Sequence, residues 1–151
     1  MAMTKDWKEL LRLFNEIGVE YCVVGSVALS WHGFPRYTGD MDLLVAPTEA
    51  NAQRVLAALE QFGMTSLGLS ESDFTNPDLV VQLGYPPCRI DLLTFVSGVS
   101  TEEVLAEAIV ATMDGEPTRV ICRDHLLVNK LATGRSQDLA DAERLRGGDN
   151  A

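Results

Sequence analysis

No stretch of the chain approaches the roughly 20 consecutive apolar residues that a membrane-spanning helix needs. The best apolar run, Tyr21 to Trp31, is short and is broken by Gly25 and Ser26. Near the N-terminus, Lys5, Asp6, Lys8 and Glu9 stand where a secretory signal would carry its apolar core. These absences predict a cytoplasmic protein with no membrane partner. Cysteine is scarce as well: Cys22, Cys88 and Cys122 are odd in number, widely spaced and set among apolar neighbours. They read as reduced, mostly buried thiols, forming neither a disulfide framework nor a zinc site. Cations are few, with 12 Lys and Arg against 22 Asp and Glu, a formal charge of −10. Gripping a phosphate backbone takes clustered cations, so tight binding of duplex nucleic acid is not expected. Half of the 12 lie between Arg119 and Arg146, which leaves room for a local basic patch in the last third.

What the chain does have is enough apolar material for a core. Hydrophobic residues make up 46% and charged residues 23% of 151 positions, which suits one domain spanning residues 1–151. Trp7, Leu10, Leu11, Phe14 and Ile17 recur at helical spacing, and Gly18 stops that helix. Tyr21 to Val24 reads as a short strand, turning at Gly25-Ser26 into a helix that closes at Gly33. Met41 to Val45 makes a second strand, ended by Pro47, and Thr48 caps a long amphipathic helix with Gly63 beyond its end. Residues 64 to 78 show no assignable period. Leu79 to Leu83 and Arg89 to Phe95 read as strands, Glu102 to Ala108 as a helix, and 109 to 121 as a hairpin around Asp114-Gly115. Two helices, Asp124 to Ala132 and Ser136 to Leu145, flank Gly134. The expectation is a mixed α/β (α+β) domain: a short mixed sheet flanked by helices, its core at about 20–95 and a C-terminal helical part at about 100–146.

Side chains with chemical potential fall in three places. A strand delivers Gly25-Ser26 to a helix start, where glycine admits a phosphate and first-turn N–H groups bind anions. The same pair also serves as a tight turn with an N-cap serine. Next, Asp40 and Asp42 lie two apart on a strand, so both face one side while Met41, Leu43 and Val45 face the other. Two such acids are either solvated or held together by a cation. Third, Asp91 interrupts the apolar run Ile90, Leu92, Leu93. A carboxylate there needs a partner. Arg89 is one candidate, an awkward one if strand neighbours point to opposite faces, and a metal ion shared with Asp40 and Asp42 is the other. An acidic chain accepts a metal-bound nucleotide more readily than a bare polyanion, because the ion brings its own charge.

Val24-Gly25-Ser26, thirteen intervening residues, Asp40-Met41-Asp42-Leu43 and the later Ile90-Asp91-Leu92 together resemble the nucleotidyltransferase fold of the DNA polymerase beta superfamily. The run GFPRYTGDMDLLV, with Lys130, Gly134-Arg135, Asp138 and Asp141, is similar to small bacterial AbiEii-type nucleotidyltransferases, some of them halves of toxin–antitoxin pairs. The resemblance covers roughly residues 20 to 145. It implies a nucleoside triphosphate as substrate and Mg²⁺ (or Mn²⁺) as cofactor. Asp40, Asp42 and Asp91 would be catalytic and metal-binding, with Asp91 serving the acceptor hydroxyl. It further implies nucleotide contacts from Gly25, Ser26, Arg36, Thr38 and Lys130, although Lys130 also reads as a solvated helix lysine. Asp138 and Asp141, three apart, would orient Lys130 or Arg135. His32 and His125 follow no ligand spacing and read as surface or capping residues. The acceptor stays open among tRNA, protein and small molecules. So does the alternative of a non-catalytic nucleotide- or metal-binding module acting with a partner protein.

Overall fold

A computed structural model of the protein describes residues 3–35, 38–64 and 68–147. The elements run α1 (Lys5–Ile17), β1 (Tyr21–Val24), α2 (Gly25–Trp31), β2 (Asp40–Val45), α3 (Glu49–Phe62), α4 (Glu71–Thr75), β3 (Val80–Leu83), β4 (Arg89–Leu93), α5 (Thr101–Ala106), β5 (Ile109–Met113), β6 (Glu116–Val120), α6 (Arg123–Thr133) and α7 (Ser136–Gly147). The fold is mixed α/β. Among the described residues, no helix is long and apolar enough to cross a membrane.

One six-stranded sheet orders the strands β3-β4-β2-β1-β6-β5. β2 lies antiparallel to β1 and parallel to β4, so the strand carrying Asp40 and Asp42 sits between those carrying Tyr21 and Asp91. β6 joins the far side of β1 in parallel and brings β5 with it as the hairpin foreseen at Asp114-Gly115. The sheet is therefore wider than residues 20–95 alone provide.

Local signals explain most boundaries. The Thr4 hydroxyl accepts the Trp7 N–H at 3.1 Å to start α1, and Gly18, with φ of +84°, ends it. Thr48 caps α3 in the same way, through the Asn51 N–H at 3.2 Å. The buried Asn51 amide then ties the approach to β1 to the end of β2, accepting from Glu20 N–H at 2.7 Å and donating to the Glu20 and Ala46 carbonyls at 3.0 Å. Within the unassigned stretch 64–78, Ser70 and Asp73 build a capping box that starts the five-residue α4, whose Phe74 is fully buried. The core is a sandwich of sheet and helix: Leu10, Leu11 and Phe14 of α1 and Val55 and Leu59 of α3 cluster with Met41, Leu43, Ile90 and Leu92 of the central strands. The thiols differ from expectation. Cys22 is buried, and burial followed by the nearby Cys122 pushes it up to about 12, while Cys88 and Cys122 are only half-buried.

Candidate active site

β1 passes directly into α2, and Gly25 makes the junction. Its φ of +69° lies in the left-handed region that a side chain disfavours. Space gives a second reason, since a Cβ at Gly25 would stand 2.2 Å from Oδ2 of Asp42. The backbone of the turn thus lies directly against a carboxylate of β2. Val24 is the helix N-cap and contributes no side-chain hydrogen bond, so Ser26 is a first-turn residue and not the cap.

The parallel register sets Asp42 opposite Asp91 and Asp40 opposite Arg89. With a two-residue period, all four side chains share one face. One oxygen from each of Asp40, Asp42 and Asp91 lies within 4.8 Å of the others. Burial, followed by the charges of Asp40 and Asp91, pushes the Asp42 carboxyl up to about 7.

Arg89 supplies the cation in this arrangement. Its Nε donates to Oδ1 of Asp91 and its Nη2 to Oδ2, both at 2.9 Å, and Nη2 stands 3.7 Å from Oδ2 of Asp40. The sequence expectation that this pairing would be awkward is corrected. Residues 89 and 91 are two apart, not adjacent, and a strand presents them on the same face. A bidentate guanidinium–carboxylate pair is the natural result.

Other expected contacts divide. The Thr38 hydroxyl donates to the Asp40 carbonyl at 2.8 Å, so it fixes the entry to β2. Arg36 lies outside the described residues. Lys130 is buried, not solvated. Its Nζ donates to Oδ1 of Asp138 at 3.0 Å and pairs with Oδ2 of Asp141 at 3.1 Å. Asp138 also accepts from Thr133 Oγ1 at 2.7 Å and Arg135 Nε at 2.8 Å. Burial alone would raise the Asp138 carboxyl; the hydrogen bonds from Thr133, Lys130 and Arg135, with the Lys130 charge, outweigh it and hold the group below the usual range. The acids expected to orient Lys130 and Arg135 do so. The two histidines are half-buried: His32 Nε2 meets the Ile121 carbonyl at 2.8 Å, and His125 pairs with Glu107.

One cleft of about 770 Å³ collects these groups. Gly25, Ser26, Asp40, Asp42, Arg89 and Asp91 line it, together with Asn129, Lys130, Thr133, Gln137 and Asp138 of the last two helices. Val80, Leu93, Phe95 and Val96 add an apolar edge. A hollow of about 820 Å³ elsewhere, bounded by Tyr21, Leu105 and Arg119, contains none of the three clustered acids. Sequence reasoning named Arg89 as a partner for Asp91 but discounted it despite the i,i+2 spacing. It missed Asn129, Gln137 and Phe95, for which nothing local gives a sign.

Three close carboxylates, one of them driven towards neutrality, fit a divalent cation, and an all-oxygen donor set suits Mg²⁺ or Mn²⁺. A comparison with proteins of curated function finds no sequence match. In fold, the chain is similar to the solved structure of ANT(2")-Ia in complex with adenylyl-2"-tobramycin, with a TM-score of 0.55 and 15% identity over 95% of this chain and 86% of that one. The model of the family described as nucleotidyl transferase of unknown function (DUF2204) matches residues 3–147, and the chain belongs to that family.

Proposed function

We propose that the protein transfers a nucleoside monophosphate from a nucleoside triphosphate to a hydroxyl group of a small molecule, releasing pyrophosphate. The observation that carries this reading is the convergence of Asp40, Asp42 and Asp91 against the Gly25-Ser26 turn in one cleft.

In this reading Gly25 and Ser26 hold the outer phosphates, because the first-turn N–H groups of a helix have no intrahelical partner and suit an anion. Asp40, Asp42 and Asp91 hold the divalent cation, which when bound neutralises the triphosphate and makes the acceptor hydroxyl more acidic. Asp91 takes the proton of that hydroxyl. Arg89 spans both Asp91 oxygens, so the guanidinium must release one of them first. The acceptor oxygen then bonds to the α-phosphorus, and the α–β bridging bond breaks with its electron pair leaving on pyrophosphate. Such chemistry asks the protein for positioning and charge neutralisation more than for covalent work. Lys130, held by two acids at the cleft wall, keeps a cation near the phosphates, while Thr38 acts through the backbone of Asp40. Arg36, two residues before Thr38, is a further candidate for the nucleotide.

A small acceptor is favoured over tRNA or protein by the modest cleft, its apolar edge at Phe95 and the charge of −10. The adenylylated small molecule in the similar ANT(2")-Ia structure supports the same choice, and we take ATP as the proposed donor here. A second reading, nucleotide binding without transfer and in company with a partner protein, draws on the Arg89–Asp91 pair, which occupies the proton acceptor. The test is α-labelled nucleotides with Mg²⁺ or Mn²⁺, offered polyhydroxylated amines and sugars, tRNA and protein. Acceptor-dependent labelling of a small molecule is expected. Binding with no labelling of any acceptor would support the second reading, and no binding of any common triphosphate at millimolar concentration would end both.

A further inference from the structure

A second cluster of ligating side chains lies away from the carboxylates. Glu107 is the C-cap of α5, Cys122 the N-cap of α6, and His125 sits one helical turn beyond Cys122. One ligating atom from each lies within 4.8 Å of the others. The Cys122 thiol makes no capping hydrogen bond, so the helix start does not account for it. His125 is largely enclosed, its side chain 13% exposed. Its Nε2 faces Glu107 Oε2 at 2.9 Å, and its buried Nδ1 has no hydrogen-bond partner among the described residues. A buried ring nitrogen left unmatched is costly, and a bound cation would remove that cost.

We propose that Glu107, Cys122 and His125 form a site for a borderline-soft divalent metal of the zinc class. The donor set decides the class. A thiolate and an imidazole select zinc over magnesium, whereas Asp40, Asp42 and Asp91 offer oxygen alone. Spacing of the two helical ligands at i and i+3 puts them on one side of the first turn of α6. Binding through Nδ1 keeps Glu107 as acceptor of the Nε2 proton, a common support for a metal-bound histidine. Binding through Nε2 makes Glu107 a direct ligand. Bound through Nε2, the ion ties the end of α5 directly to the start of α6; bound through Nδ1, it sits on α6 and is linked to α5 by the Glu107–His125 contact. α6 carries Asn129, Lys130 and Thr133 into the cleft. The site is therefore structural in position, setting where that wall of the cleft stands.

Cobalt(II) is the probe, because a thiolate ligand gives it a charge-transfer absorption that carboxylates cannot. Titrating the reduced 151-residue chain should produce this band at one equivalent, and Zn²⁺ should displace it. The band should persist in Asp42→Asn and vanish in Cys122→Ser. Glu107→Gln, at an exposed position, should need roughly tenfold more cobalt to half-fill, whether Glu107 is a direct ligand or an orienting one. If Cys122→Ser fails to fold by circular dichroism, His125→Ala replaces it with the same expected loss. No thiolate band in the wild type, an undiminished band in Cys122→Ser, or a Glu107→Gln titration identical to wild type would each overturn the proposal.

Discussion

The Arg89 guanidinium covers both oxygens of Asp91 at 2.9 Å and reaches towards Asp40. It therefore supplies in the metal-free protein the positive charge that three clustered carboxylates require. Arg89→Ala should lower stability in chelator, since it leaves a nearly buried acid unpaired. Added Mg²⁺ should recover more melting temperature in the variant than it adds to wild type, because the ion answers the same need. Thermal melts with and without Mg²⁺ check this; equal Mg²⁺ shifts in the two proteins would contradict it.

Asp42 makes metal-free stability depend on pH. Its folded value of about 7 lies above the ordinary 3.8, so the fold favours the protonated form. That contribution is fully present below about pH 4, fades as pH rises through 7, and is absent above it. In chelator, the wild type should lose stability between about pH 4 and 7, so that melts at pH 4 and pH 8 differ, and Asp42→Asn should flatten that slope. At pH 8 the variant should be the more stable by an amount on the order of a few kcal/mol. Denaturant melts at both pH values would decide it, and an Asn variant that is weaker at pH 8 would refute the assignment.

Gly25→Ala carries two penalties, a left-handed φ of +69° and a Cβ 2.2 Å from the Asp42 carboxylate. A loss of about 1–3 kcal/mol is expected from the strained backbone alone. Because the clash also displaces Asp42, triphosphate with Mg²⁺ should no longer raise the melting temperature. A folded Gly25→Ala protein with a wild-type nucleotide shift would show that the turn does not hold the phosphates.

The parts of the site that were legible in the sequence are those written in local spacing. Asp40-Met41-Asp42 announces its geometry through the two-residue period, and Gly25 through its place between a strand and a helix. Helix ends at Gly18, Thr48 and Gly63 are likewise local chemistry. Arg89 was equally local and was misread, because its partner is Asp91 at two residues, not an immediate neighbour. α4 escaped notice because it is one polar turn anchored by a single buried Phe74. The parallel pairing of β6 with β1 and the meeting of Glu107 with Cys122 and His125 depend on tertiary closure, which no local period records.

Lys130 lies between Asp138 and Asp141 with almost no solvent, so its removal should be expensive. Lys130→Met should cost about 3–5 kcal/mol by leaving buried carboxylates without their cation. Asp138→Asn should cost less, because Lys130 keeps Asp141. Urea unfolding of both variants tests the order, and a Lys130→Met protein as stable as wild type would mean that the pair is not formed in solution.

In the proposed reaction three carboxylates divide one task, with Asp40 and Asp42 serving the nucleotide and Asp91 serving the acceptor. Equilibrium nucleotide binding and label transfer, measured side by side for Asp40→Asn and Asp91→Asn, test this most directly. Asp91→Asn should retain most Mg²⁺-dependent binding and lose nearly all transfer, because the acceptor loses its proton-accepting group. Asp40→Asn should lose binding and transfer together. Transfer by Asp91→Asn at the wild-type rate would contradict the account and move the acceptor chemistry to another group in the cleft.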